Sequence, residues 1–257
     1  MTSLGFTVAF IYRQAKKSLT ESGGTGEAEG DSHEEEQRVN LHSLVRIRED
    51  LLDILVERTR DTSSYTRSAV LKTWTYLVVE EALPLTRIGS IAEVALDRLH
   101  DRTAAVRKAA VGLMTALLEF NPFSGNLSAG HYKHLRDEIE KRLDARIAVV
   151  SVDRATTANK LPADESDEEA GSADEAEGDS EQVDQVDFRE DAEVVALSAE
   201  LGKCISCLEL LQSIDNAVPI IEKMLSSKTT SDVVEALRFA SRAVTFSIKG
   251  SARCLQR

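Results

Sequence analysis

The chain has 257 residues, of which 4 are proline, 13 are glycine and 5% are aromatic, a composition that favours an all-α protein. Its net charge of −13 is mostly local, because residues 164–193 carry about fifteen acids against one arginine, Arg189. That acidity therefore does not exclude contact with nucleic acid. Three cysteines do not make a disulfide framework. The sequence has no secretory or membrane-spanning run, which predicts a soluble intracellular protein. No small-molecule substrate is expected.

The first two predicted segments are a helix and a linker. Residues 1–19 have apolar side chains near helical spacing and basic ones at the end, which predicts one helix of an incomplete repeat. Residues 20–38, rich in Gly, Glu and Ser, are interpreted as a flexible acidic linker.

Residues 39–150 are predicted to form HEAT-type repeats. Two copies of one pattern occur about forty residues apart, the spacing of HEAT and armadillo helical pairs. In each copy an amphipathic helix, a short Asp-containing turn and a second amphipathic helix are followed by a proline, Pro84 or Pro122. The second helix of the second copy has an apolar face formed by Val106, Ala109, Ala110, Leu113, Met114, Leu117 and Leu118. The same positions of the first copy hold Thr66, Ala69, Val70, Thr73, Trp74, Leu77 and Val78.

Charged residues also repeat around the two turns. Asp61 matches Asp101, and Arg67 matches Arg107. The structural interpretation is that each Asp caps a helix and each Arg reaches the Asp of a neighbouring repeat. The functional alternative is that the arginines line a phosphate-binding surface. Trp74 matches Met114 and is interpreted as a core residue rather than a ligand-stacking one.

Residues 151–191 are predicted to be a disordered acidic insert, since they cannot bury enough apolar surface to fold. Four serines precede acidic residues, the context that acidophilic kinases prefer, and are candidate phosphorylation sites: Ser32, Ser166, Ser172 and Ser180. Phosphorylation of these serines would add negative charge to the acidic segments. The hypothesis is that the insert then competes with DNA for a basic surface of the protein.

Residues 192–257 are predicted to be a further HEAT-like repeat, truncated at its C-terminal end. Its last pair is predicted as Pro219–Ser226 and Ser231–Ile248, with Ser231 or Asp232 as the cap. The residues predicted to face inward are Val233, Val234, Leu237, Ala240, Val244 and Ile248.

Catalytic and cofactor motifs are missing from the sequence. Cys204 and Cys207 form a C-x-x-C without a second ligand pair or a preceding strand, so two buried helix residues are the better interpretation. We therefore expect no enzyme activity, no cofactor and no metal. Basic residues do collect near the turns, and stacked repeats would align Arg60, Arg102 and Lys108 into a ridge able to follow a phosphate backbone. The plainer alternative is a solvated edge.

Several stretches resemble condensin complex subunit 1, the HEAT-repeat non-SMC subunit of condensin, in a fragment or shortened form. The stretches are Asp61–Leu71, Ala82–Leu85, Val106–Ala110, Asn121–Ser124 and Pro219–Ile248. The related condensin II subunit and the HEAT subunits of cohesin are less similar alternatives.

The resemblance implies a non-catalytic scaffold that links the kleisin to the SMC ATPase subunits during mitotic chromosome condensation. It also implies a nuclear and chromosomal location, with a cytoplasmic pool. Non-specific contact with DNA or chromatin is expected from the basic ridge. The rival hypothesis is a HEAT adaptor of another class, such as a nuclear transport receptor or a phosphatase scaffold.

Overall fold

The predicted all-α class is confirmed by a computed structural model that describes residues 5, 7–13, 31–123, 127–158 and 191–252. For residues 31–42 and 153–158 it describes the backbone. Within these ranges the regular structure is helical throughout. After a short helical segment at 7–13, the helices are α1 (Asp31–Arg58), α2 (Ser64–Val79), α3 (Ile88–Arg98), α4 (Ala104–Glu119), α5 (Ala129–Ala158), α6 (Ala192–Met224) and α7 (Thr230–Thr245).

The chain divides into two compact units. The first contains residues 1–133 and 203–257, and the second contains residues 134–202. In the second unit, Arg146 donates to Asp191 at 2.7 Å, which ties α5 to the start of α6. Its buried apolar side chains are Ile139, Val150, Val194 and Leu197.

The first unit is built from helical pairs whose second helices pack side by side. Helix α2 packs against α4, and α4 packs against α7. Alanines and branched apolar residues recur along these helices at helical spacing, so each presents a continuous apolar face to its neighbours. The fully buried side chains of the stack include Trp74, Leu77, Leu113, Met114, Leu117 and Phe239. This is the arrangement of a helical-repeat solenoid of the HEAT type. No helix in the described ranges is both long and apolar enough to cross a bilayer.

Helices α3 and α6 approach closely at Gly89, a contact that the sequence did not reveal. The Gly89 N–H donates to the hydroxyl of Ser206 at 3.0 Å, and that hydroxyl donates to the Leu85 carbonyl at 2.7 Å. A Cβ atom at Gly89 would lie 2.6 Å from the Cβ of Glu209, closer than real Cβ atoms approach. A side chain at this crossing would therefore force Glu209 to move.

We expect Gly89→Ala to lower the free energy of unfolding by about 1–3 kcal/mol, the usual cost of overpacking. Urea unfolding followed by circular dichroism would measure it. Gly112→Ala is the matched control, because its added Cβ meets no atom within 4 Å. Replacing a helical glycine in open space is expected to stabilise the protein by about 0.5–1 kcal/mol. Equal shifts in the two variants would contradict the close approach.

The described helices extend further than the predicted segment boundaries. Helix α1 begins at Asp31, inside the predicted linker 20–38, because the run of Glu, Gln and Arg there favours helix and its acids suit a helix N-terminus. Helix α5 continues to Ala158, inside the predicted insert 151–191, since residues 151–158 contain neither Gly nor Pro. The rest of the predicted insert, 159–190, lies outside the described residues.

The last helical pair differs from the predicted one in its first helix. Pro219 does not begin a helix but lies inside α6. The apolar residues Ala217, Val218 and Ile221 are buried on both sides of the proline, so tertiary packing holds one helix through it. The exposed position of Pro219 allows water to satisfy the carbonyl that loses its helical partner.

The inward face predicted for α7 was also wrong in part. Val234, Leu237 and Val244 are 49%, 45% and 37% exposed, whereas Ala240 and Ile248 are buried as predicted. The residues that face α4 and the interior are Asp232, Glu235, Ala236, Phe239 and Ala243. Two acids lie on the buried side because basic residues of α4 neutralise them there.

Candidate functional site

The three turns between paired helices share one hydrogen-bond pattern. We call the surface formed by residues 59–63, 99–103 and 225–229 the turn edge. In each turn, the side chain three residues beyond the first helix accepts a hydrogen bond from the backbone N–H two residues later. The acceptors and donors are Asp61 and Ser63 at 2.8 Å, Asp101 and Thr103 at 2.9 Å, and Ser227 and Thr229 at 3.1 Å. The donor residue is then the N-cap of the second helix.

Arg67 joins the first turn to the second. Its Nη1 donates to the carbonyls of Asp61 and Thr62 at 2.8 and 2.9 Å. Its Nε and Nη2 donate to the two carboxylate oxygens of Asp101 at 2.7 and 3.0 Å. The guanidinium fork thus holds its own turn with one nitrogen and the next repeat with the other two.

Arg107 makes the equivalent link from the second repeat to the third. Its Nη1 donates to the carbonyls of Asp101 and Arg102 at 2.9 and 3.0 Å. Its Nη2 donates to Asp232 at 2.7 Å, and Ser227 also donates to that carboxylate, at 3.2 Å. Asp232 is only 2% exposed. The structure therefore places Asp232 as a salt-bridge partner, while Thr229 is the N-cap of α7.

These ion pairs change the acidity of their carboxylates. The hydrogen bonds from Arg67 are the main reason why the pKa of Asp101 is lowered, and Asp101 raises the pKa of Arg67. The pKa of Asp61 is lowered chiefly by the Ser63 backbone N–H. A carboxylate with a depressed pKa stabilises the fold above its unfolded-state pKa, and this contribution is lost as the pH falls through the folded-state pKa.

We expect Asp101→Asn to cost about 1.5–3 kcal/mol at pH 7, because an amide can still accept from Thr103 but cannot pair with Arg67. Urea midpoints at pH 7 and pH 3 would measure the cost, which should shrink at pH 3, below the unfolded-state pKa, because the wild-type unfolded chain gains a proton there that the folded carboxylate resists. Asp97→Asn, at an exposed neighbour, is the control. A cost that is equal at both pH values would contradict the ion-pair interpretation.

Two of the three predicted ridge residues, Arg60 and Arg102, lie on the turn edge, and the third, Lys108, lies on α4. Arg60 and Arg102 are exposed, and within the described part of the chain neither forms an ion pair. Lys108 is 56% exposed, but its Nζ lies 3.7 Å from the buried carboxylate of Glu235. Thus Arg60 and Arg102 present their charge to solvent, and Lys108 shares its charge with α7.

The other predicted positions are placed as follows. Trp74 is fully buried on α2, and its Nε1 has no hydrogen-bond partner among the residues that the structure describes. Ser32 lies on α1, where only the backbone is described, and Ser166, Ser172 and Ser180 lie outside the described residues.

The predicted burial of Cys204 and Cys207 is confirmed. Burial raises the pKa of Cys207 to about 12, so its thiol stays protonated at neutral pH and is a poor nucleophile or ligand. Among the described residues, no group of three or more His, Cys, Asp or Glu side chains is arranged to hold a metal ion.

Stacked helix pairs and arginine–aspartate links between successive turns define a HEAT-type repeat protein. No protein-family model matches the chain. The chain is, however, similar to known condensin proteins, which confirms the resemblance predicted from its sequence.

Three relatives show the extent of that similarity. Condensin-1 complex subunit CAP-D2 of Arabidopsis thaliana is 26% identical over 242 residues, covering 83% of this chain and 16% of the relative. Condensin complex subunit 1 of Mus musculus is 37% identical over 121 residues, covering 46% and 8%. The protein of the same name from Homo sapiens is 41% identical over 81 residues, covering 32% and 6%. The chain thus spans about a sixth or less of the length of these three relatives.

Proposed function

We propose that the chain serves as a non-catalytic HEAT-repeat scaffold in a condensin complex and contributes to mitotic chromosome condensation in the nucleus. The observation that carries the proposal is its similarity to condensin subunit 1 proteins, which covers 83% of the chain in the plant relative. The stacked helices suit such a role, because each repeat touches only its neighbours and the array offers a long surface to partners.

The proposed protein partners are the kleisin and SMC ATPase subunits of condensin. Affinity capture of the tagged chain from mitotic extract, analysed by mass spectrometry, tests this. Enrichment of SMC and kleisin subunits is the expected result. Enrichment of transport cargo or of a phosphatase would instead support a HEAT adaptor of another class, the rival hypothesis, and would overturn the condensin assignment.

The proposed nucleic-acid contact is sequence-blind binding of duplex DNA by the basic ridge formed by Arg60, Arg102 and Lys108. Two of these side chains are exposed point charges on a line of turns, which suits phosphates rather than base edges. The nearby carboxylates Asp101 and Asp232 are held by Arg67 and Arg107, so they do not cancel the exposed cations. Binding of this kind falls steeply as salt is added, because it is driven by the release of counterions.

The double variant Arg60→Gln/Arg102→Gln is expected to lower the log–log salt dependence of DNA affinity by about 1.8, or 0.9 for each lost phosphate contact. Fluorescence anisotropy with a duplex of random sequence would measure it between about 50 and 200 mM salt. Glutamine is preferred to glutamate here, and Lys108 is left unchanged because its loss would leave Glu235 less well compensated.

The matched control for this pair is Lys249→Gln, an exposed lysine beyond the far end of α7. It removes the same kind of charge from the opposite end of that helix. An unchanged salt dependence in the double variant would show that the ridge is only a solvated edge, and the chain would then act through protein partners alone.

A further inference from the structure

The third turn has the same register as the first two, which its sequence does not show. Helices α2 and α7 match at both ends: their N-caps are Ser63 and Thr229, and their C-caps are Glu80 and Phe246. The residue after each C-cap, Glu81 or Ser247, has a positive φ of 51° or 56°. Because both ends match, the turn and second helix of the third pair can be placed residue by residue on those of the first.

This register puts Lys228 in the position of Arg102. Each lies between the side-chain acceptor of its turn and the N-cap of the following helix. Lys228 is exposed, as is Lys223 in the last turn of α6. Neither lysine forms an ion pair within the described ranges, whereas the nearby carboxylate of Asp232 is buried and held by Arg107.

A shallow cleft of about 310 Å³ separates the second turn from the third. Its lining combines basic and hydroxyl side chains with an apolar wall. The lining residues are Leu99, His100, Arg107, Ile220, Lys223, Met224, Ser227 and Asp232. Asp232 and Arg107 neutralise each other, so the exposed Lys223 gives the cleft its positive charge.

We propose that this cleft receives a phosphate of the duplex DNA backbone, contacted by Lys223 from the cleft lining and by Lys228 from the adjoining third turn, so that the basic ridge extends over the third repeat. The proposal rests on the proposed DNA contact and adds residues that the sequence pattern did not identify.

Duplex DNA suits the cleft better than a single phosphorylated side chain does. Packed helices are about 8–10 Å apart, so Arg102 and Lys228 are separated by roughly one such step along the turn edge. DNA carries phosphates continuously along its backbone, about one charge per 1.7 Å of axis, and can therefore meet successive cations on such a line. A lone phosphate group would use only one position of the ridge.

The test uses the full chain and the variant Lys223→Gln/Lys228→Gln, with duplex DNA affinity measured between about 50 and 200 mM salt. The expected result is a salt dependence lower by about 1.8 and an affinity about tenfold weaker per lost contact at 50 mM salt. Lys249→Gln should change neither quantity.

The outcomes separate this inference from the function on which it rests. If Arg60→Gln/Arg102→Gln weakens DNA binding and the lysine pair does not, the ridge ends at the second turn and the inference fails alone. If neither pair changes DNA binding, both proposals fail. If the lysine pair abolishes binding of a phosphoserine peptide but leaves DNA affinity unchanged, the cleft is a phosphopeptide site and the inference is overturned.

Discussion

Replacing Trp74 by alanine is expected to lower the free energy of unfolding by about 3–5 kcal/mol, the range for deleting a buried aromatic side chain. The indole has no exposed surface and is the largest fully buried side chain of the described core. Removing it leaves a cavity between α2 and its neighbours that the stack can close only in part. Chemical unfolding followed by far-ultraviolet circular dichroism measures the loss without the tryptophan signal.

Two companion variants show why the loss is due to packing. Trp74→Phe should cost much less, because it keeps an aromatic ring and removes a buried Nε1–H group that has no partner in the described part of the chain. Tyr65→Ala, at a site 83% exposed on the same helix, should stay within about 0.5 kcal/mol of wild type. A Trp74→Ala loss below about 1 kcal/mol would rule out a packed indole and reopen a ligand-binding role.

Arg107→Met is expected to be similarly severe, at about 3–5 kcal/mol, because it leaves the carboxylate of Asp232 buried and uncompensated. That carboxylate is 2% exposed and accepts from Arg107 at 2.7 Å. The substitution also removes two hydrogen bonds to the carbonyls of the second turn. Urea unfolding at pH 7 would measure the change, with Arg102→Met at an exposed neighbouring site as the control.

A double-mutant cycle identifies the source of the Arg107 effect. Adding Asp232→Asn to Arg107→Met removes the buried charge, so much of the lost stability should return. If the two substitutions are instead additive, the arginine acts through the turn carbonyls and not through Asp232.

The sequence predicted the first two repeats well, because their determinants are local. Helical periodicity marked the core face that contains Trp74 and Met114, and the matching turns pointed to a link from Arg67 to Asp101. Those two residues lie 34 positions apart, within one repeat period of each other. Periodicity and capping are signals that a single sequence carries at that distance.

The third pair was harder to predict, because its packing depends on residues far away in the chain. Asp232 faces inward because it pairs there with Arg107, which lies 125 residues earlier in the chain. Ser227 replaces the turn aspartate, and the apolar residues Val234 and Leu237 are exposed, so neither the turn motif nor the apolar face marked the register. The contact of Gly89 with Ser206 and Glu209 also joins residues that are far apart in the sequence, and no local sequence pattern predicts it.

The link between Arg107 and Asp232 also has a consequence for the order of folding. Closing a loop of 125 residues costs about 1 kcal/mol more chain entropy than closing the 34-residue loop between Arg67 and Asp101. The first two pairs can therefore associate early through contacts of short range, and α7 docks late. In native-state hydrogen exchange, α7 should open before α2 and α4, and any ligand that bridges the second and third turns would slow that opening.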